Sequence, residues 1–125
     1  MAEPRFLLDT NICIYILDNS SSEAVRRLQE CEFGEAVTSA IVYAEVMLGA
    51  ARRNGYEQAK ILFDILPVLP FERGAADTYA RLPFKRQSFD RLIAAQALCL
   101  GLTVVTRNRA DFADILGLVV EDWSQ

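Results

Sequence analysis

The sequence predicts an α/β fold, a single three-layer α/β/α domain over residues 1–125 with a parallel central sheet. Three observations carry this. Short apolar runs alternate with amphipathic stretches along the whole chain. Several runs stop at residues that make turns or cap helices, such as Asp9-Thr10-Asn11 and Ser39. Right-handed crossovers turn such an alternation into a parallel sheet covered by helices on both faces. A chain of 125 residues, 52% of them hydrophobic, fits one domain with one core.

Phe6-Leu7-Leu8 reads as a strand buried on both faces, ending at Asp9. Ile12 to Leu17 predicts a short helix, and Ser20 with Glu23 has capping-box spacing ahead of a helix through about Cys31. Ala36-Val37-Thr38 predicts a second strand, and Ser39 caps a long helix from Ala40 to about Arg53 that Asn54-Gly55 closes. Ala59, Leu62, Phe63 and Leu66 recur at helical spacing over Tyr56–Leu66, and Pro67 stops that helix before a third strand at Val68-Leu69. Glu72–Leu82 predicts another helix, and Pro83–Ser88 a polar, basic loop. Ser88 caps a helix over Phe89–Leu100 that ends at Gly101. Thr103–Thr106 is the clearest strand, Arg107–Ala110 leads into a short helix to about Leu116, and Leu118–Val120 closes the sheet.

Composition narrows the chemistry. There is no histidine, which excludes serine or cysteine nucleophiles paired with histidine, the HExxH zinc site and imidazole shuttles. Acid–base or metal chemistry must therefore use carboxylates. Thirteen basic against seventeen acidic residues give a net charge of −4, so no whole-molecule field attracts a polyanion. Eleven of the thirteen basic residues are Arg, suited to bidentate contacts with phosphate or carboxylate. Cys13, Cys31 and Cys99 are odd in number and widely spaced in apolar surroundings, which predicts three reduced core thiols in a cytoplasmic protein. The first residues lack the pattern of a secretory signal, and no window approaches 18 uninterrupted apolar residues, so no membrane is expected.

Four carboxylates stand out, each with a structural alternative. Glu45 has Ile41, Leu48 and Gly49 on its own side of a helix, with no Lys or Arg at helical spacing to pair with it. The alternative places it at the edge of the stripe, reaching water. Asp90 opens the sequence Asp90-Arg91-Leu92-Ile93-Ala94-Ala95 in the first turn of its helix, where it also suits the macrodipole. Asp9 follows a strand and can cap the next helix, and Asp111 suits the start of the last short helix. In an open parallel sheet, ligands bind beyond the carboxyl ends of the strands where strand order reverses. If Asp9 and Thr106 sit at adjacent strand ends with the helices of Glu45 and Asp90 beside them, the acids converge. Such a cluster either takes up protons or is neutralised by a divalent cation. Oxygen donors without His or Cys select Mg²⁺ or Mn²⁺, and an open acidic site of this kind suits phosphodiester hydrolysis.

The segments Leu7-Leu8-Asp9-Thr10-Asn11, Ser39-Ala40-Ile41-Val42-Tyr43-Ala44-Glu45, Asp90-Arg91-Leu92-Ile93-Ala94-Ala95-Gln96-Ala97 and Val105-Thr106-Arg107-Asn108-Arg109-Ala110-Asp111-Phe112 together resemble the PIN-domain ribonucleases, most nearly the VapC-type toxins of toxin–antitoxin pairs. The resemblance covers nearly the whole chain. It implies Mg²⁺- or Mn²⁺-dependent cleavage of RNA such as tRNA or rRNA, inhibition of growth, a homodimer, and restraint by a cognate antitoxin. Carried over by position, Asp9, Glu45 and Asp90 match the family's core acids, with Asp9 and Asp90 the direct metal ligands. Thr10, Asn11 and Thr106 match polar residues that orient them. Asn108 stands where many relatives have a fourth acid, with Asp111 nearby as its substitute, and the Leu82–Asp90 stretch is short and basic. Lys85, Arg86, Arg91, Arg107 and Arg109 flank this site and are candidates for RNA phosphate contacts.

Two other readings compete. A phosphoacceptor receiver domain requires an adjacent acidic pair after the first strand and a lysine after a late one, whereas Asp9 is followed by Thr10-Asn11 and both lysines, Lys60 and Lys85, lie elsewhere. A non-catalytic module would use the acidic cluster to capture a partner's arginines.

Overall fold

Phe6–Leu8 forms β1, with Leu7 and Leu8 fully enclosed, as a strand flanked on both sides and covered on both faces must be. In the computed structural model, which describes residues 2–85 and 88–124, it is followed by α1 (Thr10–Leu17), α2 (Ser22–Glu30), β2 (Ala36–Ser39), α3 (Ala40–Arg52), α4 (Tyr56–Ile65), β3 (Val68–Leu69), α5 (Arg73–Arg81), α6 (Phe89–Leu100), β4 (Thr103–Val105), a 3₁₀ turn (Arg109–Phe112) and β5 (Val120–Glu121). The five strands are parallel in the order β3-β2-β1-β4-β5.

This order sets the layers. The chain moves outward from β1 through β2 to β3, then crosses back to β4 on the other side of β1. Right-handed crossovers made in opposite directions put their helices on opposite faces, so α1–α4 cover one face while α5 and α6, packed on each other, cover the other. The expected three-layer α/β/α architecture is therefore present. Strand order reverses between β1 and β4, where Leu7 pairs with Val104 and Leu8 with Val105. Ala94, Ala95 and Ala97 are fully enclosed on α6, their small side chains allowing close packing. Trp123 closes the core with its ring edge-on to Phe6 at 5.1 Å, and the Arg27 guanidinium lies 4.9 Å from the Trp123 ring centre. No helix among the described residues is long and apolar enough to cross a membrane.

Several expected boundaries shift, each for a local reason. Helix α1 begins at Thr10 rather than Ile12 because Asp9 caps it. Ser21, not Ser20, caps α2: its Oγ accepts from the Ala24 N–H at 3.2 Å, while the Ser20 N–H is already donated to Asp18 Oδ1 at 3.0 Å in the turn through left-handed Asn19. Ser21→Ala is therefore expected to destabilise the protein by about 1 kcal/mol and Ser20→Ala by much less, as read from urea midpoints. The helix expected up to Leu116 is instead one 3₁₀ turn followed by further i→i+3 bonds, from the Ala113 N–H to Ala110 O and from the Ile115 N–H to Phe112 O. These turns consume Leu118, whose N–H goes to Ile115 O, so the last strand pairs at Val120–Glu121 rather than Leu118–Val120. The three cysteines are free thiols, but they are not all in the core: Cys13 is buried, Cys31 half-buried and Cys99 exposed.

Candidate active site

Asp9 leaves β1 at the point where strand order reverses. Its N–H donates to Val105 O at 3.0 Å, tying it to the end of β4. Its Oδ1 accepts from the Ile12 N–H at 3.0 Å, which makes it the N-cap of α1. The Thr106 hydroxyl favours the ionised form of the carboxyl group, and the Thr106 Oγ1 accepts from the Asn108 N–H at 3.0 Å. Thr106 is fully buried, so this arrangement is shielded from water. Asp9 is only 4% exposed, and burial pushes its carboxyl up to about 6 from an ordinary 3.8. The Thr106 and Ile12 bonds oppose that rise, while the charges of Asp90 and Glu45 add to it. The capping role and a place at the strand-end crevice, set as alternatives by the sequence, coexist in one carboxylate.

The other acids arrive by topology. A crossover helix runs antiparallel to its strands, so the first turn of α6 lies by their carboxyl ends and brings Asp90 there. Asp90 is half-buried and its carboxyl is raised, first by burial and then by the charge of Asp111, against the pull of Arg91 and Lys85. Helix α3 starts at the end of β2 and carries Glu45 in its second turn, where Glu45 Oε1 accepts from Thr10 Oγ1 at 2.8 Å. Glu45 does not lie on the buried stripe. That stripe is Val42 and Val46, whereas Leu48 is exposed and Ile41 and Gly49 only half-buried, so Glu45 sits at the edge and takes a hydroxyl partner instead of a cation.

Asp9 thus feels both Glu45 and Asp90, and Asp90 feels Asp111 on the exposed 3₁₀ turn. Among the described residues, however, no three acids close into a group that would hold a metal ion. The full convergence expected from the sequence is not reached: like charges repel, Asp9 is held by Ile12 and Thr106, and Glu45 is drawn to Thr10. In donor chemistry the set fits a hard divalent cation, since every acid supplies oxygen and each neighbour's charge raises the need for neutralisation.

The remaining candidates divide by exposure. Asn11 and Asn108 are exposed. Lys85, Arg107 and Arg109 are exposed too, with Arg107 Nη1 donating to Tyr15 Oη at 2.8 Å and Arg109 Nη2 to Val120 O at 3.4 Å. Arg86 lies outside the described residues. Arg91 is a correction: it is 1% exposed and donates from Nη2 to Asp114 Oδ1 at 2.6 Å, so it offers no surface to a phosphate. The sequence reading also missed Asp114, 23 residues from its partner with no spacing signal to announce it, and the exposed rings of Phe84 and Phe89 on either side of Lys85 and next to Asp90. Two aromatics within one short basic stretch are the sequence signal for such a surface.

A parallel sheet with an acid at its reversal point and acid-bearing helices beside it defines the class. The PIN domain family matches residues 6–117, and the chain belongs to that family, in its VapC group. It is 31% identical to the tRNA(fMet)-specific endonuclease VapC of Shigella flexneri, in a comparison covering 96% of this chain and 98% of that one. Among solved structures, the DNA-bound VapBC of Salmonella typhimurium superposes with a TM-score of 0.81 at 28% identity, covering 96% of this chain and 98% of that one. A toxin–antitoxin complex from Klebsiella pneumoniae gives 0.72 at 28% identity, covering 90% of this chain and 94% of that one.

Proposed function

We propose that this protein is a Mg²⁺- or Mn²⁺-dependent endoribonuclease, the toxin of a toxin–antitoxin pair. The observation that carries this reading is the buried Asp9 at the β1/β4 join, its carboxyl raised by burial and by Glu45 and Asp90 around it. Asp9, Asp90 and Glu45 would hold the ion, with Asp111 available from the 3₁₀ turn. When bound, the ion supplies a hydrolytic water ionisable near neutral pH and neutralises charge building on the phosphate.

The chain's own groups do the positioning. Thr106 fixes the Asp9 carboxylate and Thr10 fixes Glu45, so neither acid has to be ordered when substrate arrives. With no histidine in the chain, carboxylates take any side-chain proton near neutral pH. Lys85, Arg107 and Arg109 contact phosphates around the cut, and Phe84 and Phe89 offer ring faces to unpaired bases. The relative named for tRNA(fMet) makes tRNA the first substrate to try, with rRNA beside it. The likeness to a toxin–antitoxin complex supports a cognate antitoxin as partner, and the proposal includes a homodimer acting in the cytoplasm, where free thiols persist.

The test is incubation of the purified, partner-free chain with total tRNA and rRNA, with Mn²⁺, with Mg²⁺ and with EDTA, followed by mapping of new ends. Discrete cuts that require a divalent ion are expected. Cleavage indifferent to EDTA, or none with either ion, overturns the reading.

A further inference from the structure

Arg91 is among the largest fully buried side chains, and its single side-chain partner among the described residues is a carboxylate whose side chain is 44% exposed. Its Nε and Nη1 are buried with no hydrogen-bond partner among the described residues. A buried guanidinium with two unmet nitrogens is a stability cost that an apolar side chain at position 91 would not carry. Its position indicates what that cost serves. Arg91 directly follows Asp90 in the first turn of α6, and Asp114 lies just past the 3₁₀ turn that carries Asp111. Helix α6 packs against that turn, and the 2.6 Å ion pair bridges the two segments from which Asp90 and Asp111 come.

Resting on the nuclease reading above, we infer that the Arg91–Asp114 pair is a positioning device that sets Asp90 against Asp111 and so admits Asp111 to the metal-holding group in place of the acid absent at Asn108. The pair works through geometry: Arg91 is anchored in the core on α6, and its one outward bond draws the Asp114 segment onto the helix. Neither residue touches substrate. The segment after β4 is pinned to the core by Phe112 and Ile115 but has only i→i+3 turns of its own, so the cross-link from Arg91 sets how it lies along α6.

The test is Asp114→Asn, which keeps side-chain shape at a partly exposed position and removes the charge that Arg91 holds. Mn²⁺ affinity is measured on the intact protein without RNA, by the electron paramagnetic resonance signal of the free ion, and kcat and KM for RNA are measured separately. Affinity for Mn²⁺ is expected to fall tenfold or more, as for loss of an outer partner that orients ligands, and kcat to fall while KM for RNA holds. Arg91→Lys keeps a charge but loses the planar fork; it is expected to show the same pattern and carries the test should Asp114→Asn not fold, as judged by circular dichroism. Wild-type affinity and kcat in a folded variant overturn the inference alone, whereas a wild-type protein that neither binds Mn²⁺ nor cuts RNA removes the nuclease reading beneath it.

Discussion

Asp90→Asn is expected to keep the native circular dichroism spectrum and lose RNA cleavage by at least about a hundredfold at saturating Mn²⁺. Fold retention follows from the position. Asp90 lies in the first turn of α6, where its favourable term with the helix dipole is worth about 0.3–1 kcal/mol, and its own burial and the charge of Asp111 oppose ionisation there. Removing the charge therefore changes stability little. Activity should respond far more, because an amide presents one neutral oxygen where a hard cation needs a charged one. Glu45→Gln retains the acceptor for Thr10 and should lose less. A tRNA-cleavage assay with both variants at equal concentration decides the matter, and full activity in Asp90→Asn removes that residue from the mechanism.

Asp9→Asn should lose cleavage too, yet make the metal-free protein more stable at alkaline pH. The folded-state value of about 6 stands above the ordinary 3.8, so the folded protein binds this proton more tightly than the unfolded chain does. That contribution is complete below pH 3.8, declines as pH rises, and is gone above about pH 6, where the ionised group is buried at full cost. The rise from 3.8 to about 6 corresponds to about 3 kcal/mol, with no discount for solvent because the group is enclosed. Asparagine caps helices as well as aspartate and can keep the bond from the Ile12 N–H. In EDTA, the variant should therefore gain on wild type by up to about 3 kcal/mol at pH 8 and nearly nothing at pH 4, read from urea unfolding at each pH. Adding Mn²⁺ should stabilise wild type and leave the variant unmoved. A variant weaker than wild type at pH 8 would show that the ionised form is favoured where it lies.

What was legible in the sequence came from local, strongly patterned signals. The apolar Phe6-Leu7-Leu8 run stopping at Asp9, the Ser39 cap and the left-handed Gly101 all occur where their residue types require them. Topology then made the neighbourhood of Asp9, Glu45 and Asp90 legible, because a parallel sheet puts strand ends and crossover-helix starts on one rim. Features set by distant partners were not legible. Arg91 looked like a surface cation because arginine in a helix's first turn usually is one, and the carboxylate that pairs with it comes from position 114. The capping box at Ser20 failed because the helix starts one residue later, with Ser21 Oγ as its cap, while the Ser20 N–H that a box would pair with Glu23 is donated to Asp18. Closure of the acids lay beyond a pattern-based reading, since it depends on which hydroxyl claims each carboxylate.

The outer strands of the sheet are β3 and β5, two residues each. An exposed edge recruits foreign backbone only when it offers a run of unpaired amides and carbonyls long enough to zip against, and these do not. A strand added at either edge would therefore find only two residues of regular strand to pair with. Recognition must then be read from side chains on the helices and loops, where a single substitution can change a partner's choice while the hydrogen-bonded scaffold beneath stays the same.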